Sequence, residues 1–274
     1  MRSVAASVGR KITLRLPPSG GLSRLSALHH KLKASQSMQQ FSKEGTEKAR
    51  LENLASIEAD PTSPFGYTGL TFVYNRMADW GIGDIDPEEL LILARESAEK
   101  ALELDPSNHE SHHAMASVHQ QEGKLDLAIA RYEKSIELNP SDTGVASSLS
   151  QALVYSGRAA EAVELLHRAM RLDPHYEWVK WDLAWALWTN GDCDQALSAL
   201  LSMAKLPNMA RRSLAVIYVC LGRQEEAEAT IARFLENKPE YTVGSFRDAY
   251  QHRYKDPAGV EPFLDALRKA GLPE

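Results

Sequence analysis

The chain has 274 residues, 43% of them hydrophobic and 25% charged, a balance that supports a packed core and excludes a collagen-like or wholly disordered chain. No stretch approaches the run of about 18 uncharged apolar residues that a transmembrane helix needs, so no membrane partner is expected. The net charge of −6 is uneven: eight basic residues and no acid lie between Arg2 and Lys43, and the remainder carries 23 basic against 37 acidic groups. Phosphates would meet like charge on that acidic body, which argues against a nucleic-acid partner.

Residues 1–27 read as a disordered basic leader, Ser-rich and acid-poor, with Pro17, Pro18, Gly20 and Gly21. An organellar transit peptide has the same composition and would place the protein in the mitochondrial matrix. The segment lacks the apolar run of a secretory signal. Two cysteines, Cys193 and Cys220, cannot make a disulfide scaffold and suggest a reducing, cytoplasmic compartment; both are expected as small core residues between helices.

Beyond the leader, three residue types share one period. Pro106, Pro140 and Pro174 are 34 residues apart, as are Gly123, Gly157 and Gly191, and Ala94, Ala128, Ala162 and Ala196. In each unit a helix runs to the glycine, whose left-handed conformation ends it. A second helix then runs to a phrase such as Leu104-Asp105-Pro106, where the proline forbids continuation. A pair of short helices cannot bury its own apolar face, so stacking on neighbours must, and a solenoid results.

These residues resemble the tetratricopeptide repeat (TPR) family, whose pattern has small residues at the eighth, twentieth and twenty-seventh positions and proline at the thirty-second. Units 109–142 and 143–176 match it at Ala116, Gly123, Ala128, Tyr132, Ser135 and Pro140, then at Ser150, Gly157, Ala162, Ala169 and Pro174. The resemblance implies an all-α, right-handed helix-turn-helix solenoid of about six repeats with a C-terminal capping helix.

In chain order, the first unit spans 30–63, with Ala49 at its crossing position. The second, 64–108, carries an eleven-residue excess between helices Phe65–Asp79 and Pro87–Leu104, around Trp80-Gly81-Ile82-Gly83-Asp84. Units 109–142 and 143–176 are regular, unit 177–207 runs three residues short, and unit 208–241 ends the solenoid assigned to 28–241. Residues 242–274 read as capping helices: one over 242–252, and an amphipathic one from Pro257 to Ala270 with Val260, Phe263, Leu264 and Leu267 on one face.

The ending Tyr254-Lys255-Asp256-Pro257, with Leu267-Arg268-Lys269-Ala270-Gly271-Leu272-Pro273-Glu274, resembles the carboxyl end of many bacterial class III adenylate/guanylate cyclases, in which a TPR region follows the cyclase domain. No segment here is expected to supply that domain. The resemblance therefore implies a bacterial signalling or docking module, not cyclase activity.

Four of the five tryptophans, Trp178, Trp181, Trp185 and Trp188, fall on one helix at spacings of three, four and three. In the TPR register they take groove positions, which implies an aromatic platform for a partner segment. The competing reading packs the rings inside a bend made by the shortened fifth unit. The remaining expected groove is mixed: Phe65, Thr68, Phe72 and Asn75; His113, Ser117, Gln120 and Gln121; Ser147, Gln151, Val154 and Tyr155; Met209, Arg212 and Val216. Arg76 and Arg212 stand isolated in the sequence, so the lysine and asparagine set with which some TPR proteins hold a terminal carboxylate is absent. The centre of the groove is placed at the four tryptophans with Tyr155, Gln151, Arg212 and His113.

His109 and His113, four apart, could bridge a metal, but with His112 and His119 on the same helix the plainer reading is packing and solvation, and no metal or cofactor is expected. No nucleophile triad or phosphate-cradling motif can be assembled. The sequence thus points to a non-enzymatic scaffold that binds a protein or peptide segment. The alternative is a regulatory partner or remnant of a nucleotide cyclase. The oligomeric state is not encoded.

Overall fold

The computed structural model describes residues 21–40 and 42–274, and its regular elements there are all helical. The groove-side helices are α1 (Gly21–Met38), α3 (Phe65–Trp80), α5 (His109–Gln121), α7 (Thr143–Tyr155), α9 (Trp178–Thr189) and α11 (Ala210–Cys220). Each pairs with the helix that follows it: α2 (Lys43–Ala59), α4 (Pro87–Leu104), α6 (Leu125–Leu138), α8 (Ala159–Leu172), α10 (Cys193–Leu201) and α12 (Gln224–Leu235). Every hairpin leans on the next, which makes a helical solenoid. The chain ends in α13 (Val243–Tyr250), two 3-10 turns (Gln251–Arg253 and Pro257–Val260) and α14 (Glu261–Lys269).

The periodic residues act as their chemistry requires. Gly123 sits at φ 70°, and there the Lys124 N–H reaches the His119 carbonyl at 2.8 Å while the Gly123 N–H reaches that of Gln120 at 3.1 Å. This pair of bonds closes α5 on its own orphan carbonyls. The same pair recurs at Gly157, Gly191 and Gly222. At the other end of the unit, Asn139 bridges Pro140 by accepting from the Ser141 N–H and hydroxyl, and Asp142 then caps α7 by accepting from the N–H groups of Gly144 and Val145. Ala94, Ala128, Ala162 and Ala196 are all buried where helices cross. In the second unit Ile82 is buried and holds the inserted loop against the core, while Trp80 stays exposed beneath the Arg76 guanidinium.

Three expectations are corrected. Residues 1–20 of the expected leader lie outside the described residues, but 21–27 are helical: Ala27 is buried, and its carbonyl accepts from the Ser56 hydroxyl at 2.8 Å. The two cysteines are not separate core residues. Cys193 opens α10 and Cys220 closes α11; stacking brings their Cα atoms to 6.3 Å, and they form a disulfide, with Cys220 exposed. That pairing removes the basis for inferring a reducing compartment. Last, the stretch expected as one helix from Pro257 is a 3-10 turn followed by α14, although Val260, Phe263, Leu264 and Leu267 are buried together as expected. No helix among the described residues is long and apolar enough to cross a membrane.

Candidate functional site

The groove-side helices are the first of each hairpin, so their inward faces line one concave wall. That wall encloses a cavity of about 980 Å³, at the upper end of the range of about 300–1,000 Å³ usual for ligand sites. Most of the expected groove positions reach it, including Thr68, Phe72, Asn75, Ser117, Gln120, Gln121 and Ser147. Phe65, Val154, Met209 and Val216 do not; Val154 and Val216 are buried in the core between hairpins.

The tryptophans divide. Trp178, Trp181 and Trp185 line the cavity, half-buried, with the first two rings 5.7 Å apart. Trp181 donates its indole N–H to the Ser213 hydroxyl at 2.9 Å, and Trp185 meets the Tyr155 ring edge-on at 5.0 Å. Trp188 is not on the cavity wall. It packs edge-on against Phe263 of α14 at 5.3 Å, because the terminal helix covers that end of the stripe.

Gln151 and His113 are on the wall with closed hydrogen bonds. Gln151 donates to Asp182 at 3.1 Å. His113 pairs with the Ser148 hydroxyl at 3.0 Å and packs on Phe72; burial drives its pKa down to about 4, so the ring is neutral at physiological pH. His109 and His112 are directed elsewhere: His109 lies 3.3 Å from Asp142, and His112 bonds the Pro106 carbonyl. No group of three His, Cys, Asp or Glu side chains among the described residues converges as a metal site.

Arg212 differs from the isolated groove cation expected. It is buried at the foot of the wall with its guanidinium within 6.0 Å of the ring centres of Phe234, Tyr241, Phe246 and Tyr250. It donates to the Met209 carbonyl and the Tyr241 hydroxyl, and forms no salt bridge with any described residue. The aromatic faces take the place of a carboxylate.

Two features carry no sequence signal that the repeat register could expose. Asp182, on α9 beside the tryptophans, accepts from the Ser147 hydroxyl and from Gln151 and faces the cavity; desolvation pushes its pKa up to about 7. The second is the segment 251–256, which turns back over the rim of the groove instead of merely capping its end. There Arg253 pairs with Asp79 of α3, Lys255 pairs with Asp126 of α6 at 3.0 Å, and the Lys255 N–H reaches the Tyr155 carbonyl at 3.0 Å. Tyr254 meets Tyr155 edge-on at 4.9 Å. The concave face is thereby narrowed from an open trough to a chamber with one strapped edge.

Three family models, each described as a tetratricopeptide repeat, match residues 109–142, 153–208 and 182–242. The chain carries tetratricopeptide repeats. Solved structures agree with the fold. That of Pseudomonas aeruginosa pilF aligns over 82% of this chain and 97% of its own at 16% identity, with a TM-score of 0.55. A thermophilic TPR protein of Thermus thermophilus aligns over 68% of this chain and 98% of its own at 21% identity, also with a TM-score of 0.55. Human IFIT1, solved as a dimer with m7Gppp-AAAA, aligns over 88% of this chain and 59% of its own at 18% identity, with a TM-score of 0.65. At these identities the likeness is one of fold. No curated protein matches the chain in sequence. The kinship with cyclase-linked TPR regions expected from the carboxyl end finds no support in these comparisons. Over the matched residues, tetratricopeptide repeats indicate a protein–protein interaction scaffold.

Proposed function

We propose that this TPR chain is a non-catalytic docking module whose concave chamber captures a segment of a partner protein. The observation that carries the reading is the common cavity: inward faces of all six groove-side helices converge on it, and its central wall is aromatic, with Trp178, Trp181, Trp185 and Tyr176. Large rings that are only half-buried retain apolar surface whose burial favours binding, at about 25 cal/mol per Å² before the costs of association. Polar groups around them, among them Asn75, Ser117 and Gln121, supply hydrogen bonds that fix a segment's register. The acidic body disfavours nucleic acid as the occupant. Nothing at the site favours a cyclase-linked role over this one. The disulfide fits an oxidising compartment better than a reducing one.

The test is a selection of displayed random peptides of about a dozen residues on the full chain, followed by binding to a Trp181→Ala/Trp185→Ala variant of equal helicity. Peptides that bind the chain and lose about 10-fold or more in affinity on the variant support the reading. Recovered peptides indifferent to the double change would overturn it.

A further inference from the structure

The charges on the cavity wall are mostly neutralised in place. Lys31 pairs with Glu110, Arg253 with Asp79, and Glu177 with Lys180 at 2.6 Å, while Asp142, 3.3 Å from the His109 ring, is engaged as the cap of α7. Asp182 is different. It forms no salt bridge with any described residue, and its two oxygens accept only from neutral donors, the Ser147 hydroxyl and the Gln151 amide. Arg212 on α11 is engaged by its four rings and forms no salt bridge with Asp182. A carboxylate partly withdrawn from bulk water and left without a counter-charge is costly, and its attraction for a cation is strengthened for the same reason.

The surroundings favour one kind of counter-charge. Asp182 shares the cavity wall with Tyr176, Trp178, Trp181 and Trp185. Aromatic faces attract ammonium and guanidinium groups and give nothing comparable to an anion. An apolar side chain could cover the rings but would seal the carboxylate in without a counter-charge. A cationic side chain on an aliphatic stem satisfies both: the stem lies on the rings and the head reaches the carboxylate. Beyond the wall, residues 44–274 carry 37 acidic against 23 basic groups, which steers a basic segment toward the chamber.

We propose that Asp182 anchors a lysine or arginine side chain of the bound segment, held between the carboxylate and the tryptophan faces. This rests on the docking reading above and specifies the chemistry of its occupant. The experiment uses peptides recovered on the full chain that depend on Trp181 and Trp185, each made also with its basic residue replaced by norleucine. The expected result is a lysine or arginine next to apolar residues in those peptides. Norleucine should weaken binding by about 10-fold or more on the native chain and by less than about 2-fold on Asp182→Asn. Norleucine peptides that bind the native chain undiminished would overturn the anchor while leaving the docking reading intact, and this arm does not depend on how the variant folds. Equal loss on the native chain and on Asp182→Asn would overturn it as well, by placing the cation elsewhere. If no recovered peptide depends on the tryptophans, the docking reading itself fails, and the anchor with it.

Discussion

Arg253 and Asp79 stand 174 positions apart in the chain, and their side chains form an ion pair at the rim of the cavity. Gln121 also donates to Asp79, so the carboxylate ties α3, α5 and the segment after α13 together. The pair is mostly shielded, with side-chain exposures of 12% for Arg253 and 31% for Asp79, which sets it apart from the surface pairs that contribute little. Arg253→Ala should therefore lower unfolding stability by about 1–3 kcal/mol in urea titrations and raise amide exchange over residues 250–256. Asp79→Asn in the Arg253→Ala background should add much less than it does alone. Unchanged exchange in that segment would show that the strap is held by Tyr254 and Lys255 instead.

Gly123 and Gly157 occupy the same place in successive units, at φ 70° and 80°, but differ in surroundings. A Cβ on Gly123 would lie 2.9 Å from the His252 carbonyl of the strap, whereas one on Gly157 meets nothing within 4 Å. Gly157→Ala should cost about 1 kcal/mol, the strain of a left-handed residue alone. Gly123→Ala should cost more, and the excess should vanish in the Arg253→Ala background once the strap has loosened. Urea midpoints of the native chain, the three single variants and the Gly123→Ala/Arg253→Ala double variant measure both terms.

The contrast between these glycines shows which parts of the molecule are legible in sequence. Turn glycines, hairpin prolines and crossing alanines answer to conformational limits of their own residue, so their spacing reveals the hairpins and the inward positions of helices such as α5 and α7. Phe72, His113 and Gln151 are reachable by that route. The strap is not, because segment 251–256 has no period and its contacts lie 129 and 174 residues away. Arg212 reads as isolated since no acid stands near it in sequence; its partners are rings from α12, α13 and the loop between them. Asp182 escapes notice because a carboxylate in a helix is ordinarily solvated, and only Ser147 and Gln151 of the preceding unit mark it as withdrawn.

Cys193 and Cys220 close a loop with a sequence separation of 27. In the chain-entropy picture a loop of that size restricts the unfolded chain by about 3.5 kcal/mol. Reduction, or a Cys193→Ser/Cys220→Ser change, should lower stability by up to that amount without altering helicity, since the bridge joins two helices already packed together. Urea titrations with and without reductant on the native chain and the double variant give the answer: reductant should move the first curve onto the second and leave the second in place.

Asp182 and His113 oppose each other in the pH dependence of stability. The Asp182 carboxyl titrates at about 7 when folded against an ordinary 3.8, so between those values the folded chain keeps a proton that the unfolded chain has lost. The folded state then binds more protons, and stability falls as pH rises from about 4 to 7 and levels off above. His113 titrates at about 4 when folded against an ordinary 6.5, so the unfolded chain binds the extra proton and stability rises across much of the same window. The native profile sums the two slopes and is flatter than either. Asp182→Asn keeps an acceptor for Ser147 or Gln151 and removes only the first slope. Its stability relative to the native chain should therefore be near zero at pH 4 and climb to about 2–4 kcal/mol by pH 8. Urea midpoints from pH 4 to 8 check this, and a constant difference between the chains would show that the Asp182 carboxyl is ionised throughout.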